Sequence, residues 1–255
     1  MTAYYNEIDP YAAQWLRNLI AAGHIAPGDV DERSIVDISA DDLRGYSQAH
    51  FFAGIGGWSL ALRLAGWPDD RPVWTGSCPC QSISVAGHRR GHADERHLWP
   101  AFHRLIAECS PAIVFGEQVA SKDGREWLSA VRADLEHVGY AVGAADLPAA
   151  YKAPQIRQRL WWMASSLRVG RQMRRDFVPI DDEAPISFEG RSMAGGSSQA
   201  AEYEWLREPP FQLLSNAVPN AMAQLRAYGN AIVPQIAAEF IMSALSLSSQ
   251  DRGTE

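Results

Sequence analysis

The chain has 255 residues and a net charge of −7, and it is 47% hydrophobic and 21% charged, as is ordinary for a soluble globular protein. This length permits one large domain, or one domain with a small appendage. No apolar run approaches the roughly 18 residues of a membrane span, and the amino terminus is acidic, without a basic-then-apolar signal pattern. We therefore expect a cytoplasmic protein that makes no membrane contact.

The first half of the chain alternates predicted strands with predicted helices. A strand over residues 4–8 precedes a helix over 10–23, and a short strand over 35–38 precedes a capped helical turn in ADDLRGY. AHFFAGIGGWSLALRLAGW predicts a strand, a glycine turn and a helix, and PVWTGSCPCQS predicts a strand and a loop. This alternation is typical of α/β proteins.

The alternation continues to about residue 166 and resumes near the end of the chain. LWPAFHRLIAECS and REWLSAVRADLEHVGY predict helices around a buried strand, PAIVFGEQV, and AVGAADLPAA and RLWWMAS predict paired strands. VPQIAAEFIMSALSL predicts a final helix. We expect a doubly wound α/β sheet domain over residues 1–166 and 216–247, a small inserted region over 167–215, and a disordered tail over 248–255.

FFAGIGGW places three glycines, Gly54, Gly56 and Gly57, between a predicted strand and a predicted helix. Glycines in such a turn let the backbone approach a nucleotide-like cofactor closely. A tight turn without a ligand also uses glycine, so both interpretations remain open.

The three cysteines differ in their surroundings. Cys80 follows Pro79 at the end of a predicted strand and leads toward a basic segment, where cations lower a thiol pKa and make it a nucleophile. Cys78 is its rival, and Cys109 lies in an amphipathic helix as an expected core residue. Three cysteines do not build a disulfide framework, and C-x-C without a neighbouring His or Cys cluster is a poor zinc site, so we expect no metal.

A carboxyl and two guanidiniums complete the candidate chemistry. Glu117 ends a very apolar strand, where burial raises a carboxyl pKa and keeps the group protonated near neutrality; an N-cap or a salt bridge is the alternative. Gln155, Arg157 and Arg159 alternate, so an extended backbone would direct all three to one face. Two guanidiniums on one face suit phosphate or carbonyl oxygens.

The basic residues are concentrated although the whole chain is acidic. Residues 152–175 carry seven Lys and Arg without any Asp or Glu, and residues 88–104 hold four Arg and four His. Such a band predicts a localised contact with a polyanion. A solvated charged face is the alternative.

Five motifs stand in one order along residues 51–234: Phe52-x-Gly-x-Gly-Gly, Pro79-Cys80-Gln81, Glu117-Gln118-Val119, Gln155-x-Arg-x-Arg and Gly229-Asn230-Ala-x-x-Pro234. In this combination the chain resembles the DNA cytosine-5 methyltransferase family of bacteria and their phages. Two departures are small: Gln118 replaces the usual Asn, and Ser82-Ile83-Ser84 replaces the usual Pro-Phe-Ser.

The resemblance implies methyl transfer from S-adenosylmethionine to C5 of a cytosine flipped out of double-stranded DNA. Cys80 would add to C6, with Gln81 beside it, while protonated Glu117 would hold N3. Arg159 would hold the O2 region, and Arg157 would order a loop or a phosphate. The loop at 82–97 would close over the base.

The resemblance also implies an unusual chain order. In the family, the strands that hold the ribose and the adenine follow the glycine motif, whereas only residues 58–78 separate Gly57 from Pro79 here. NEIDPYAA resembles the ribose motif with Glu7, and SIVDIS resembles the adenine motif with Asp37, both ahead of the glycine turn. We expect a methyltransferase sheet with a permuted strand order, in which the helix after the glycine turn has an altered placement that keeps its crossover right-handed.

The full set of expected contacts follows from this resemblance. The cofactor would be held by Phe52, Gly54, Ile55, Gly56, Gly57, Glu7, Ile8, Asp37, Ile38, Ser77, Pro79, Leu98 and Asn230. DNA would be held by Ser82, Ser84, Arg89, Arg90, Gln155, Arg168, Arg171, Arg174 and Arg175. The short region over 167–215 predicts a short or relaxed recognition site, and the protein is expected to be a monomer.

Four alternatives accompany this interpretation. In the first, the substrate is RNA and not DNA, since related enzymes act on transfer RNA. In the second, the protein is a non-catalytic DNA-binding relative, although the presence of Cys80, Glu117 and Arg159 argues against this. In the third, the one-carbon donor is a folate, since addition of a thiol to C6 serves that chemistry too. In the fourth, Glu7 and Asp37 are surface acids of an acidic extension and hold no cofactor.

Overall fold

The computed structural model describes residues 2–79, 98–148, 158–166 and 231–250, with the side chains of the last helix described to residue 245. The chain divides into a unit of residues 1–180 and 232–255 and a second unit of residues 181–231. The fold set out below is that of the first unit.

The described part of the chain contains seven strands in one sheet. They are β1 Thr2–Asn6, β2 Gly28–Asp31, β3 Tyr46–Phe51, β4 Val73–Gly76, β5 Ile113–Val119, β6 Tyr140–Pro148 and β7 Gln158–Ser166. The helices are α1 Pro10–Ala21, α2 Gly57–Leu64, α3 Trp99–Cys109, α4 Lys122–His137 and α5 Pro234–Gln250. Two 3-10 turns, Ile35–Asp37 and Ala40–Leu43, join β2 to β3.

The strand order across the sheet is β2-β1-β3-β4-β5-β7-β6. The first five strands are mutually parallel, and β7 runs antiparallel between β5 and β6. The expected mostly parallel α/β sheet is therefore confirmed, as is the pairing of the last two strands. Because parallel strands share one carboxyl edge, the residues that follow β1, β3, β4 and β5 emerge on the same side of the sheet.

The predicted strand over residues 35–38 is wrong. Ile35 and Ile38 are 2% and 1% exposed, whereas Val36 between them is 59% exposed. Burial at positions i and i+3 is a helical spacing and not the alternation of a strand. The Ser34 hydroxyl caps the turn by accepting from Val36 N at 3.4 Å. The strand of this segment is β2, which ends at Asp31.

Side chains alternate between two cores on opposite faces of the sheet. Trp74 and Val114 belong to one core, with Trp99, Phe102, Leu105 and Ile106 of α3. Val73 and Phe115 belong to the other core, with Trp58, Ala61 and Leu62 of α2 and the apolar side of α5. Helices α2 and α3 therefore cover opposite faces.

This arrangement gives two neighbouring crossovers opposite hands. The chain steps in one direction from β3 to β4 to β5, but α2 and α3 lie on different faces. The crossover from β1 to β2 steps the other way, and the Tyr5 hydroxyl ties the segment after α1 to the α2 face through Ala26 O at 2.7 Å and Ser59 Oγ at 2.9 Å. Its hand thus agrees with that of β4–α3–β5. Because about 98% of such crossovers are right-handed, we infer that β3–α2–β4 is the left-handed one, against the expectation for α2.

No helix in the described ranges is long and apolar enough to cross a membrane.

Candidate functional site

A glycine turn leaves β3 at the carboxyl edge of the sheet. Phe52, Gly54 and Gly56 have φ values of 52°, 55° and 82°, a region that glycine adopts without strain. The turn is anchored to β1 because Ala53 N donates to Asn6 O at 3.0 Å. Gly56 precedes α2, and a Cβ at Gly57 would lie 2.7 Å from Ile232 Cγ1. The glycines therefore form a tight turn packed against the segment that leads into α5.

Glu7 reaches from the end of β1 to this turn. Its Oε2 accepts from Gly54 N at 2.7 Å, and its Oε1 accepts from Asp9 N at 2.9 Å. Burial raises the pKa of the Glu7 carboxyl, and hydrogen bonds from the backbone N–H groups of Asp9, Gly54 and Ile8 oppose that shift. Glu7 thus belongs to the glycine turn and is no isolated surface acid.

A second acid, Asp31 at the end of β2, lies beside Glu7. Glu7 N donates to Asp31 O at 3.0 Å, and Asp31 Oδ2 accepts from the Tyr4 hydroxyl at 2.7 Å and from Arg33 Nη2 at 2.6 Å. Burial opposes ionisation, but the hydrogen bonds from Arg33 and Tyr4 lower the pKa of Asp31 below its usual value. Asp31 is therefore the ionised acid at a strand end.

The predicted adenine residues lie farther along the chain than β2. Asp37 is exposed in the first 3-10 turn, and Ile38 is 1% exposed in the core, where a cofactor would not reach its side chain without a shift. Ile8 is 64% exposed directly after Glu7, and Val36 is 59% exposed. Ile8 is thus available to a ligand, whereas the assignment of Ile38 has no support from its burial.

The segment after β4 lies between the glycine turn and β5. Ser77 is half-buried, and its hydroxyl accepts from Trp58 Nε1 at 3.0 Å, while Pro79 is exposed. Cys78 is 2% exposed and packs in the core, so it is a poor rival to Cys80 as nucleophile. Gln118 Nε2 donates to Cys78 O at 3.2 Å and fixes the backbone two residues before Cys80. Leu98, half-buried, resumes the chain ahead of α3.

Glu117 and Arg159 form an ion pair across strands β5 and β7. Arg159 lies opposite Val119 in the antiparallel register, and its Nε is 2.5 Å from Glu117 Oε1. The Glu117 side chain is 9% exposed and that of Arg159 is 19% exposed. The salt bridge that the sequence left open as an alternative for Glu117 is therefore present.

The remaining predicted site residues lie outside the described residues. They are Cys80, Gln81, Ser82, Ser84, Arg89, Arg90, Gln155, Arg157, Arg168, Arg171, Arg174, Arg175 and Asn230. Among the described residues, no three His, Cys, Asp or Glu side chains are grouped so as to hold a metal ion.

Sequence reasoning missed two contributors to this edge. Trp58 joins α2 to the segment after β4, and Asp31 ends the strand beside β1. GDVD carries the signal for Asp31, since Val30 is flanked by polar residues in a short run before a Ser-capped turn. The sequence carries no comparable signal for Trp58, whose partner Ser77 is 19 residues away.

Part of this chain is similar to the members of a known protein family. The family model described as C-5 cytosine-specific DNA methylase matches residues 67–175. The match runs from the turn before β4 to beyond β7 and includes Cys80, Glu117 and Arg159.

Curated relatives agree with this match. Type II methyltransferase M.PspPI of Psychrobacter sp. (strain TA137) is 30% identical over 168 residues, which cover 49% of this chain and 40% of that protein. Type II methyltransferase M.HhaI of Haemophilus parahaemolyticus is 27% identical over 167 residues, covering 50% and 51%. The chain thus aligns with about half the length of these relatives.

Among solved structures, the S. pombe Dnmt2 methyltransferase aligns with 96% of this chain and 99% of its own, at 13% identity and a TM-score of 0.49. That likeness is too low to carry an argument about function.

Proposed function

We propose that this protein transfers a methyl group from S-adenosylmethionine to C5 of a flipped-out cytosine in double-stranded DNA. The observation that carries the proposal is the Glu117–Arg159 pair at the carboxyl edge of the sheet, beside the strand that leads directly into Pro79-Cys80-Gln81. The match of residues 67–175 to cytosine-specific DNA methylases supports it.

The glycine turn and Glu7 are proposed to hold S-adenosylmethionine. A Cβ at Gly54 would meet nothing within 4 Å, so the turn is open at this residue, as close approach of a cofactor requires. The Glu7 carboxylate, already fixed by Gly54 N and Asp9 N, would accept hydrogen bonds from the ribose hydroxyls. Phe52, Ile8, Ser77, Pro79 and Leu98 would complete the pocket with Asn230. When bound there, the cofactor supplies an electrophilic methyl group.

The permuted order of the chain is part of the proposal. We infer that β2, β1 and β3 correspond to the adenine, ribose and glycine strands of the family, with the first two placed ahead of the third in the chain. The adjacency of β1 and β3 and the Glu7–Gly54 contact support this inference. The opposite hand of β3–α2–β4 supports it too, because a glycine strand that keeps its helix on the usual face acquires the other hand when it is joined to the strand on its other side.

Asp31 and Asp37 are competing candidates for the adenine amino group. Asp37 has the exposure that a ligand contact requires, but it lies six residues beyond the strand end in a 3-10 turn. Asp31 has the position at a strand end, but Tyr4 and Arg33 already bond its carboxylate. The affinity for S-adenosylmethionine is measured for Asp31→Asn and for Asp37→Asn. Only replacement of the acid that contacts the adenine should weaken binding.

Cys80, Glu117 and Arg159 are proposed to perform the chemistry on the base. The Cys80 thiolate adds to C6 of cytosine, which makes C5 nucleophilic enough to take up the methyl group. On the opposite side of the ring, protonated Glu117 donates a hydrogen bond to N3 and Arg159 contacts O2, so that together they stabilise the charge that develops there. A base then removes the C5 proton, and the C6–S bond breaks to release 5-methylcytosine and the Cys80 thiolate.

Transfer of labelled methyl groups tests the proposal. Duplex DNA and a matched RNA are incubated with labelled S-adenosylmethionine and the protein, with Cys80→Ala as the inactive reference. Label in DNA that disappears with Cys80→Ala supports the proposal. Label in RNA alone, or in neither nucleic acid, contradicts it.

A further inference from the structure

The hydrogen bond between Trp58 and Ser77 joins the two strand ends that border the crevice of the sheet. Trp58 is the second residue of α2, directly after the glycine turn, and Ser77 directly follows β4. Strands β3 and β4 are neighbours, and the helices that follow them leave on opposite faces. An open parallel sheet binds its ligands in such a crevice, outside the carboxyl ends of its strands.

The direction of this hydrogen bond is fixed by chemistry. An indole N–H only donates, so the Ser77 hydroxyl is the acceptor at 3.0 Å. The hydroxyl keeps its own proton for a second partner. Trp58 is 3% exposed, so the Ser77 oxygen is held by a buried group, while Ser77 itself is half-buried and part of its surface remains accessible.

The Trp58 ring itself is immobilised by aromatic neighbours. It stacks on Phe115 of β5 with ring centroids 6.2 Å apart and an interplanar angle of 20°, and it meets Trp161 of β7 edge-on at 5.6 Å. A ring locked between two strands presents its N–H in one direction. The position of Ser77 is therefore set by the core and not by a mobile surface group.

We propose that Trp58 is a positioning residue that orients the Ser77 hydroxyl to donate a hydrogen bond to an oxygen acceptor of the bound cofactor. This inference rests on the proposed function, because the ligand of the crevice is taken to be S-adenosylmethionine. Trp58 does not touch the ligand; it acts through Ser77.

A second tryptophan provides a matched control. Trp67 is 2% exposed, packs in the same core as Trp58 and donates its Nε1–H to Arg71 O at 3.1 Å. Trp58→Phe and Trp67→Phe thus each remove one buried indole N–H from the same core. Only the hydrogen bond of Trp58 to Ser77 borders the crevice. Comparable losses of thermal stability are expected for the two variants.

The test measures the S-adenosylmethionine dissociation constant by isothermal titration calorimetry for the unaltered protein, Trp58→Phe, Ser77→Ala, the double variant and Trp67→Phe. The loss of one hydrogen bond predicts a roughly three- to tenfold weaker affinity for Trp58→Phe and for Ser77→Ala, no further loss in the double variant, and an unchanged constant for Trp67→Phe.

Two outcomes overturn the inference in distinguishable ways. Affinity of Trp58→Phe equal to that of the unaltered protein, with a melting temperature lowered like that of Trp67→Phe, assigns Trp58 a structural role only. Additive losses in the double variant likewise contradict a shared hydrogen bond. If the unaltered protein binds no S-adenosylmethionine, the proposed function fails and the inference fails with it.

Discussion

Arg159 Nε lies 2.5 Å from Glu117 Oε1, and this contact makes the carboxyl of β5 one half of an ion pair. The proposed mechanism needs a proton on Glu117, and Arg159 is the group with which that proton would compete for the carboxyl oxygen. The sequence suggested a carboxyl kept neutral by burial alone. The structure adds a counter-ion, Arg159, beside that carboxyl.

Glu117→Gln is expected to reduce methyl transfer about 10²- to 10³-fold, because an amide cannot balance charge at the ring nitrogen as a carboxyl group does. Affinity for S-adenosylmethionine should not change, since the pair lies on strands away from the glycine turn. Single-turnover rates and calorimetry measure the two quantities separately. Full activity in Glu117→Gln would remove this residue from the mechanism.

Glu7→Ala is expected to weaken S-adenosylmethionine binding by about tenfold or more, because hydrogen bonds to a charged group contribute about 1.5–3 kcal/mol. Glu7→Gln should lose less, since its amide oxygen still accepts from Gly54 N. Glu32→Ala is the matched control, because Glu32 follows the neighbouring strand but pairs with Arg17 at 2.6 Å. Equal dissociation constants for Glu7→Ala and Glu32→Ala would rule out a cofactor role for Glu7.

Gln118→Leu is expected to slow methyl transfer while leaving cofactor affinity nearly unchanged. Gln118 is 2% exposed, and its amide bonds Cys78 O at 3.2 Å and Val119 N at 2.9 Å. Leucine fills a similar volume but removes the hydrogen bond to Cys78 O, and loss of one buried hydrogen bond costs about 0.5–1.5 kcal/mol. We expect the backbone before Cys80 to be held less firmly as a result. Melting temperature and turnover are measured together; a lowered melting temperature with normal turnover would limit Gln118 to a structural role.

His50 is expected to make folding stability fall as the solution becomes acidic. Burial lowers its pKa to about 3, whereas an unfolded His has a pKa of about 6.5. Between these values the unfolded chain binds more protons, so stability falls as pH decreases through this window, by up to about 1.4 kcal/mol per pH unit. The neutral ring contacts Thr75 Oγ1 at 2.8 Å and Gln48 Oε1 at 3.2 Å.

Urea unfolding at several values between pH 4 and pH 7.5 measures this dependence. His50→Asn should be less stable at pH 7.5 but should show a shallower decline toward pH 4. Replacement of the exposed His24 by Asn is measured beside it as a comparison with a surface histidine. Parallel curves for His50→Asn and the unaltered protein would contradict the buried neutral imidazole.

The glycine turn and the paired last strands were predictable because their signals are local. Gly54 and Gly56 supply positive φ within five residues, and RLWWMAS is apolar enough to read as a central strand. The strand predicted for Ile35–Ile38 was wrong because four residues of mixed polarity fit a strand and a 3-10 turn equally well. Only the packing of Ile35 and Ile38 against the same core selects the turn. The Trp58–Ser77 and Glu117–Arg159 contacts depend on which strands become neighbours, which no local pattern encodes.

The hand of the β3–α2–β4 crossover could not be predicted from the sequence either, because it also depends on tertiary packing. The general rule favours a right-handed connection, and nothing in AGIGGWSLALRL opposes it. The face chosen by α2 follows from the tight glycine turn and from the aromatic core that Trp58 shares with Phe115 and Trp161. Tertiary packing therefore overrides the rule.

A covalent trap tests the central claim most directly. Duplex DNA carrying 5-fluorocytosine at methylated positions has no C5 proton to lose, so the adduct at C6 cannot be released. With S-adenosylmethionine present, we expect a protein–DNA complex that survives denaturation, carries one added methyl group and maps to Cys80 by peptide mass spectrometry. Absence of the complex, or its attachment to Cys78 or Cys109, would contradict the account.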